Sequence, residues 1–307
     1  MNVLFIGLGS IAKRHITNLG ALSDAKLSIS VFRSGQGKDI TGDIKDRFDH
    51  VYTSDEELDS CYDAIFITNP TALHYDTLLK RLNLSNCFFI EKPIFVTGEE
   101  DISVFSSADK KYYVAAPLRY SNAIQWLKNN IDFSTVYSMR VISSSYLPDW
   151  RPGVDYRNIY SAHKDMGGGV SIDLIHEWDY ITYLIGFPES VKSIISRKSD
   201  LEIDSDDIAV YVAEYPDKIV ELHLDYFGRK TQRRIELYTK DDTIVADLIE
   251  QKICWLCTGK EVNLSEERNS YQKKELQHFL DIVTGKIDSD NTIEEACRVL
   301  RIARGAE

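Results

Sequence analysis

The sequence predicts an α/β protein: a doubly wound parallel sheet in the N-terminal part, then a second part of antiparallel strands and flanking helices. Three observations carry this reading. Apolar runs at residues 2–6, 27–32, 64–68, 87–90 and 113–116 alternate with helical stretches, as in βαβ units. A glycine-rich turn, Gly7-Leu8-Gly9-Ser10-Ile11-Ala12, joins the first run to the first helix. Runs at 208–212, 220–224 and 234–238 alternate apolar with polar residues, the pattern of antiparallel strands with one solvated face. At 307 residues the chain is long enough for two domains.

Composition narrows the function classes. Hydrophobic residues make up 43% and charged residues 27%, which excludes a disordered chain or a fibrous repeat. No apolar run approaches the ~20 residues of a membrane span. The N-terminus has no basic segment before its apolar residues and no small-residue cleavage site, so it does not read as a secretory signal, and a cytoplasmic location is expected. A net charge of −12 repels a phosphate backbone, so neither nucleic acid nor membrane is an expected partner; a local basic pocket for one phosphorylated ligand remains compatible. The five cysteines are scattered. Cys254-Trp255-Leu256-Cys257 lacks a second pair for zinc and lies in a strand-like run, so reduced thiols and no metal are expected.

The first turn carries the dinucleotide fingerprint in its required setting, a strand before and a helix after. Gly7 permits the tight turn, Gly9 admits a pyrophosphate to the backbone, and Ala12 keeps helix close to strand. Free amides at the helix N-terminus would hold the pyrophosphate, which makes Ser10 and Ile11 candidate contacts as well. The second strand ends in Phe32-Arg33-Ser34-Gly35-Gln36-Gly37-Lys38, with no acid for a ribose 2′-hydroxyl. Arg33 could pair with a 2′-phosphate and Ser34 donate to it, so NADP is the expected preference over NAD; an ordinary loop arginine is the alternative.

Ligands of doubly wound sheets bind beyond the C-terminal ends of the strands. Three polar clusters fall there: Thr68-Asn69-Pro70 with His74, Glu91-Lys92-Pro93, and Arg119-Tyr120. Lys92 could hydrogen-bond a substrate hydroxyl and stabilise charge on its oxygen; the alternative is a surface lysine paired to Glu91. Residues 54–57 form a capping box that starts a short helix. Further on, Gly167-Gly168-Gly169 precedes residues 170–185, which read as one helix stopped by Gly186 and Pro188. Asp173 and His176 are three apart, as are His176 and Asp179, so they share a face. A carboxylate-oriented histidine suits a general base near neutral pH; the alternative is a satisfied core histidine.

In order and spacing these elements resemble the Gfo/Idh/MocA (glucose–fructose oxidoreductase/inositol dehydrogenase) family. The matching residues are Gly7-x-Gly9-x-x-Ala12-x-x-His15, Asn69-Pro70-Thr71-x-x-His74, Glu91-Lys92-Pro93, Arg119-Tyr120, and the glycine triplet with its Asp/His helix. The resemblance implies an N-terminal Rossmann dinucleotide-binding domain over residues 1–118. It implies a substrate-binding and oligomerisation α+β domain over 119–307, with a large, open, mostly antiparallel sheet that pairs subunits into a homodimer or homotetramer. It also implies catalytic roles for Lys92, Asp173 and His176, and cofactor contacts from Thr68, Asn69, Pro70, His74, Glu91 and Lys92. Here Asp173 and His176 are three apart, whereas the family spacing is four.

The proline-interrupted stretch 145–161 is rich in aromatic and basic residues, which suits a ligand loop better than a core. It resembles a loop of family members from surface-polysaccharide pathways. Trp150 would stack on a sugar or base, Arg151 and Arg157 would meet phosphate or carboxylate, and Arg119, Tyr120, Tyr156 and His176 would complete the substrate site; a structural lid or dimer contact is the alternative. Asp204-Ser205-Asp206-Asp207 lacks the glycine and distal glutamate of a calcium loop and reads as a solvated turn. Residues 271–284 and 292–303 read as helices, the second opened by a capping box from Thr292 to Glu295. The expected function is NAD(P)-dependent hydride transfer at a carbinol carbon of a sugar or nucleotide sugar. A non-catalytic cofactor-binding sensor and a dinucleotide-dependent glycosidase are the alternatives.

Overall fold

The computed structural model describes residues 1–22, 27–35, 40 and 44–306, and the chain divides into two compact units. The first comprises residues 1–117 and 271–297. Its elements are β1 (Asn2–Ile6), α1 (Ser10–Leu22), β2 (Ser28–Phe32), β3 (His50–Tyr52), β4 (Ala64–Ile67), α2 (His74–Arg81), β5 (Cys87–Ile90) and β6 (Lys111–Val114). All six strands run parallel in the order β3-β2-β1-β4-β5-β6, the doubly wound topology expected from the alternating pattern. Because both faces are covered, the central strands are apolar throughout rather than alternating. Phe5, Phe66 and Phe89 stack across β1, β4 and β5 with ring centroids 4.5 and 4.9 Å apart.

The second unit comprises residues 118–270 and 298–307. It holds α3 (Asn122–Asn130), β7 (Val136–Tyr146), α4 (Val170–Asp173), α5 (His176–Ile185), β8 (Ser190–Ser196), β9 (Ile208–Glu214), β10 (Ile219–Asp225), β11 (Phe227–Thr239), β12 (Thr243–Asp247), β13 (Lys252–Trp255) and β14 (Glu261–Asn263). The strands form one eight-stranded sheet, order β14-β13-β12-β11-β7-β10-β9-β8, antiparallel except for the β7–β10 pair. Alternation along β9 and β10 turns Ala209, Tyr211, Val220 and Leu222 inward and leaves Val212 and Ile219 exposed.

The segment after this sheet, which the sequence reading places in the second domain, returns to the first unit. Phe279 of α6 (Ser270–Val283) packs edge-on against Phe66 and Phe89, and buried Glu275 accepts the Ala116 amide at 2.6 Å. The capping box Thr292–Glu295 opens α7 (Ile293–Ala303) as expected. The box at Ser54 is also present and opens a single 3₁₀ turn. All five cysteines are free; Cys254 lies on β13 and the Cys257 amide donates to Asp242 in the following turn. No helix among the described residues is long and apolar enough to cross a membrane.

Two expectations fail. Residues 170–185 are not one helix: α4 and α5 are separated at Leu174–Ile175, where Ile175 and Glu177 donate to carbonyls three residues back. The 204–207 turn is not simply solvated. Asp207 is fully buried and takes the amides of Lys198 and Ser199, while Asp206 accepts the Ser171 amide in the first turn of α4. Acids that look like a surface run are used here as caps, because buried amides need acceptors.

Candidate functional site

In the first unit, the C-terminal ends of β1, β2 and β4 surround a cavity of about 730 Å³. Gly7 makes this mouth possible. Its φ is +92°, and a Cβ there would lie 2.9 Å from both the Cα and N of Asn69, so the first turn touches the end of β4 directly. The Thr68 hydroxyl fastens the contact by donating to the carbonyls of Ile6, at 2.9 Å, and Gly7, at 3.2 Å. At Gly9 a Cβ would meet nothing within 4 Å, so the backbone there faces open space. Ala12 is fully buried, consistent with close packing of α1, whereas Ser10 is exposed.

Of the expected cofactor residues, Gly7, Arg33, Ser34, Asn69 and Pro70 line this cavity. Residues 36–38 of the loop after β2 lie outside the described residues. The cavity also takes in Lys13, Asp76, Lys80 and Arg81, which the sequence reading missed. Lys80 and Arg81 end α2, and only the pairing of β1 with β4 brings that helix to the fingerprint. Arg81 pairs with Asp55 and lies 4.9 Å over the Phe32 ring. Two buried polar atoms here, Asn69 Oδ1 and Arg81 Nε, have no hydrogen-bond partner among the described residues.

Three expected cofactor residues outside the cavity lining shape its surroundings. His74 is buried with Nε2 2.9 Å from the Asn69 carbonyl and Nδ1 3.0 Å from the Ile94 carbonyl. It thereby braces the 69–70 turn, and burial pushes its imidazole below the usual pKa. Glu91 reaches back to α1. Its Oε1 lies 2.6 Å from His15 Nε2 on α1, and its Oε2 accepts the Lys92 amide at 3.3 Å. Burial alone would raise the Glu91 carboxyl, but the His15 bond, together with the charges of His15, Lys92 and His74, outweighs it and holds the group below the usual range. Lys92 itself follows β5, half-buried, joined to Pro93 by a cis peptide.

In the second unit the focus is Asp173, the last residue of α4 and nearly fully buried. Its Oδ1 accepts the Tyr160 hydroxyl and its Oδ2 the Tyr226 hydroxyl, each at 2.5 Å. Burial and the Asp173 charge both raise the two phenols, which therefore stay protonated donors. Trp150 packs edge-on against Tyr226, centroids 5.2 Å apart, and its indole N–H donates to Ser145. Arg151 lies close enough to Tyr160 to act on its charge. So the loop reaches Asp173 through Tyr160 and, through Trp150, the Tyr226 ring. His176 begins α5, half-buried.

Other expected substrate residues are engaged elsewhere. Arg119 is buried and grips Asp179 with two bonds, Nε to Oδ2 at 3.0 Å and Nη2 to Oδ1 at 2.7 Å. This fork anchors α5 and occupies Nε and Nη2 of Arg119 and both carboxylate oxygens of Asp179. Arg157 is exposed and bound by Asp155 and Glu202, whose charges raise its pKa further. The Tyr156 hydroxyl accepts the Glu202 amide at 3.2 Å, and Tyr120 is half-buried. His163, Asp165 and Asp204 bring potential ligand atoms within 4.8 Å of one another at the surface, where Asp204 already accepts the Lys164 amide.

Comparison with known proteins accords with this arrangement. Residues 1–116 match the GFO_IDH_MocA oxidoreductase family with its NAD-binding Rossmann fold, and residues 129–245 match the GFO/IDH/MocA C-terminal domain. The protein named uncharacterized oxidoreductase YrbE, from Bacillus subtilis (strain 168), is 24% identical over 199 residues, 59% of this chain. The chain spans 52% of that protein's length. Levoglucosan dehydrogenase in complex with NADH and levoglucosan has the same fold, with a TM-score of 0.85 at 16% identity over 100% of this chain and 96% of that one. UDP-N-acetylglucosamine 3-dehydrogenase GnnA from Acidithiobacillus ferrooxidans gives 0.76 at 18% identity, over 100% and 96% of the two chains. The myo-inositol 2-dehydrogenase of Lactobacillus plantarum gives 0.76 at 19%, over 100% and 96%. With both of its domains matched across most of the sequence, the chain belongs to the Gfo/Idh/MocA family of oxidoreductases.

Proposed function

We propose that this chain is an NADP-preferring oxidoreductase acting at a carbinol carbon of a sugar or nucleotide sugar. The observation that carries the proposal is the first-unit cavity, with Gly7 at its turn and Arg33 and Ser34 at the end of β2. Its residues fit a dinucleotide. The volume suits one, the exposed backbone at Gly9 admits a pyrophosphate, and orphaned Asn69 Oδ1 and Arg81 Nε offer an acceptor and a donor. With Arg81 set against Asp55, Lys13, Arg33 and Lys80 still outnumber Asp76, which favours the additional 2′-phosphate.

A bound nicotinamide supplies the hydride chemistry. The chain's own residues do the rest. The Lys92 ammonium donates to the reacting oxygen and stabilises charge there. His176 takes or returns that oxygen's proton, and Asp173, fixed by Tyr160 and Tyr226, stabilises the imidazolium. The first unit, residues 1–117 with 271–297, acts as the dinucleotide-binding domain, and the second, 118–270 with 298–307, as the substrate-binding and oligomerisation domain. The sheet face bearing Ile194, Val212 and Ile219, exposed in the single chain, serves as the contact between copies of a cytoplasmic homodimer or homotetramer. Surface-polysaccharide biosynthesis is the proposed setting.

The test is a screen of sugars and nucleotide sugars for oxidation of NADPH or reduction of NADP. Lys92→Ala should lower kcat by about 10²–10⁴-fold with cofactor affinity nearly intact. Retained activity in that variant would sink the mechanism, and equal efficiency with NAD would sink the cofactor preference.

A further inference from the structure

A second cavity, of about 360 Å³, opens in the second unit and is lined by the rings of Tyr146, Tyr156 and Phe227, by Lys198 and Arg229, and by the loop 199–201. Tyr146 ends β7 and Phe227 begins β11, and the two are register partners, so their rings stand on one side of the sheet. Tyr226, one residue away, is committed to Asp173 instead. The Arg229 guanidinium stacks 3.9 Å from the Tyr146 ring centroid. Stacking uses the flat face of the guanidinium and leaves its in-plane N–H groups for a ligand.

The walls are pre-organised. Fully buried Asp207 holds the Lys198 amide at 2.7 Å, the Ser199 amide at 2.8 Å and the Ser199 hydroxyl at 2.5 Å. The Glu202 amide fixes the Tyr156 hydroxyl. Lys198 and Arg229 carry no ion pair among the described residues, and one lining carboxylate, Asp200, faces these two cations. The balance calls for an anion, and Asp200 calls for hydroxyl or N–H donors on the same ligand. Three aromatic rings call for a flat group. The volume lies near the low end for ligand pockets, so it takes one nucleotide rather than two.

We propose that this cavity binds a nucleoside monophosphate or the equivalent part of a larger nucleotide. The base lies against Tyr146, Tyr156 and Phe227, the phosphate meets Lys198 and Arg229, and Asp200 accepts from ribose or base. Tyr146 and Tyr156 belong to the 145–161 stretch expected to bind substrate, whereas Lys198, Asp200, Phe227 and Arg229 do not, and none of the six is a residue of the proposed hydride-transfer step.

The test is calorimetric titration of the full chain with UMP in saturating NADPH. One UMP per chain should bind, weakened at least about tenfold by Arg229→Ala and by Tyr146→Ala, with unchanged circular dichroism. Arg233→Lys lies outside this cavity and should leave UMP affinity as it was, as should Asp173→Asn. Arg229→Lys, which keeps the charge and loses the stacked fork, should fall between wild type and Arg229→Ala. Inorganic phosphate and glucose 1-phosphate, which lack a base, should bind at least about tenfold more weakly than UMP. Displacement of UMP by UDP-glucose would place the nucleotide half of a sugar nucleotide here; failure to displace would mark a site for free mononucleotide. The proposal is overturned if UMP does not bind up to millimolar concentration, if both alanine variants bind it as wild type does, or if phosphate binds as tightly as UMP.

Discussion

Tyr226 donates its hydroxyl to the carboxylate of Asp173 at 2.5 Å across 53 residues of sequence. With Tyr160 on the other oxygen, the carboxylate is held from both sides by groups that burial keeps protonated. The position of the charge is thus set by the sheet and the loop, and only partly by the short helix that carries it.

Tyr226→Phe should keep the fold and leave a buried carboxylate oxygen short of a donor. The expected cost is about 1–3 kcal/mol in denaturant unfolding. In a turnover assay kcat should fall while cofactor affinity holds. An unchanged kcat would remove Asp173 from the proposed chemistry.

Arg119 and Asp179 form the buried ion pair that anchors α5. Arg119→Met leaves the Asp179 charge buried without its fork, at a cost of roughly 3–5 kcal/mol. Adding Asp179→Leu should recover most of that loss. Urea unfolding of the two variants checks it, and a double variant no more stable than Arg119→Met would refute the pairing.

Glu91 contributes a pH dependence whose sign follows from its lowered pKa. The unfolded carboxyl titrates near ~4.3. Its stabilisation is therefore fully present above that value and is lost as pH falls through the lower folded value. Thermal melts from neutral pH down into this acidic window should fall more steeply for wild type than for Glu91→Gln.

Gly7→Ala should abolish cofactor binding before it abolishes the fold. The added Cβ meets Asn69 backbone at 2.9 Å in a conformation with φ of +92°. Overpacking of this kind costs about 1–3 kcal/mol. Wild-type cofactor affinity in this variant, by fluorescence titration, would show that the turn relaxes freely.

Arg33→Ala should raise the KM for NADP about 10–100-fold and leave that for NAD nearly unchanged, as steady-state kinetics with both cofactors would show. Equal effects on the two would assign Arg33 to the adenine rather than to a 2′-phosphate.

By itself the sequence determined the local, short-range features. The strand–turn–helix around Gly7, five of the six parallel runs, the Thr292–Glu295 box and the alternating runs of β9, β10 and β11 all repeat with their own geometry. Backbone periodicity and side-chain caps act over a few residues, so they can be read from a few residues. Only the tertiary structure decided which polar groups meet. It gave Arg119 to Asp179, Glu91 to His15, and Asp173 to two tyrosines at separations of 60, 76, 13 and 53 residues. It also split residues 170–185 into two helices and set Lys80 and Arg81 at the fingerprint. The physical reason is common to all of these. A buried charge or hydroxyl must find a partner, and burial depends on how sheets and loops pack, which no local pattern encodes.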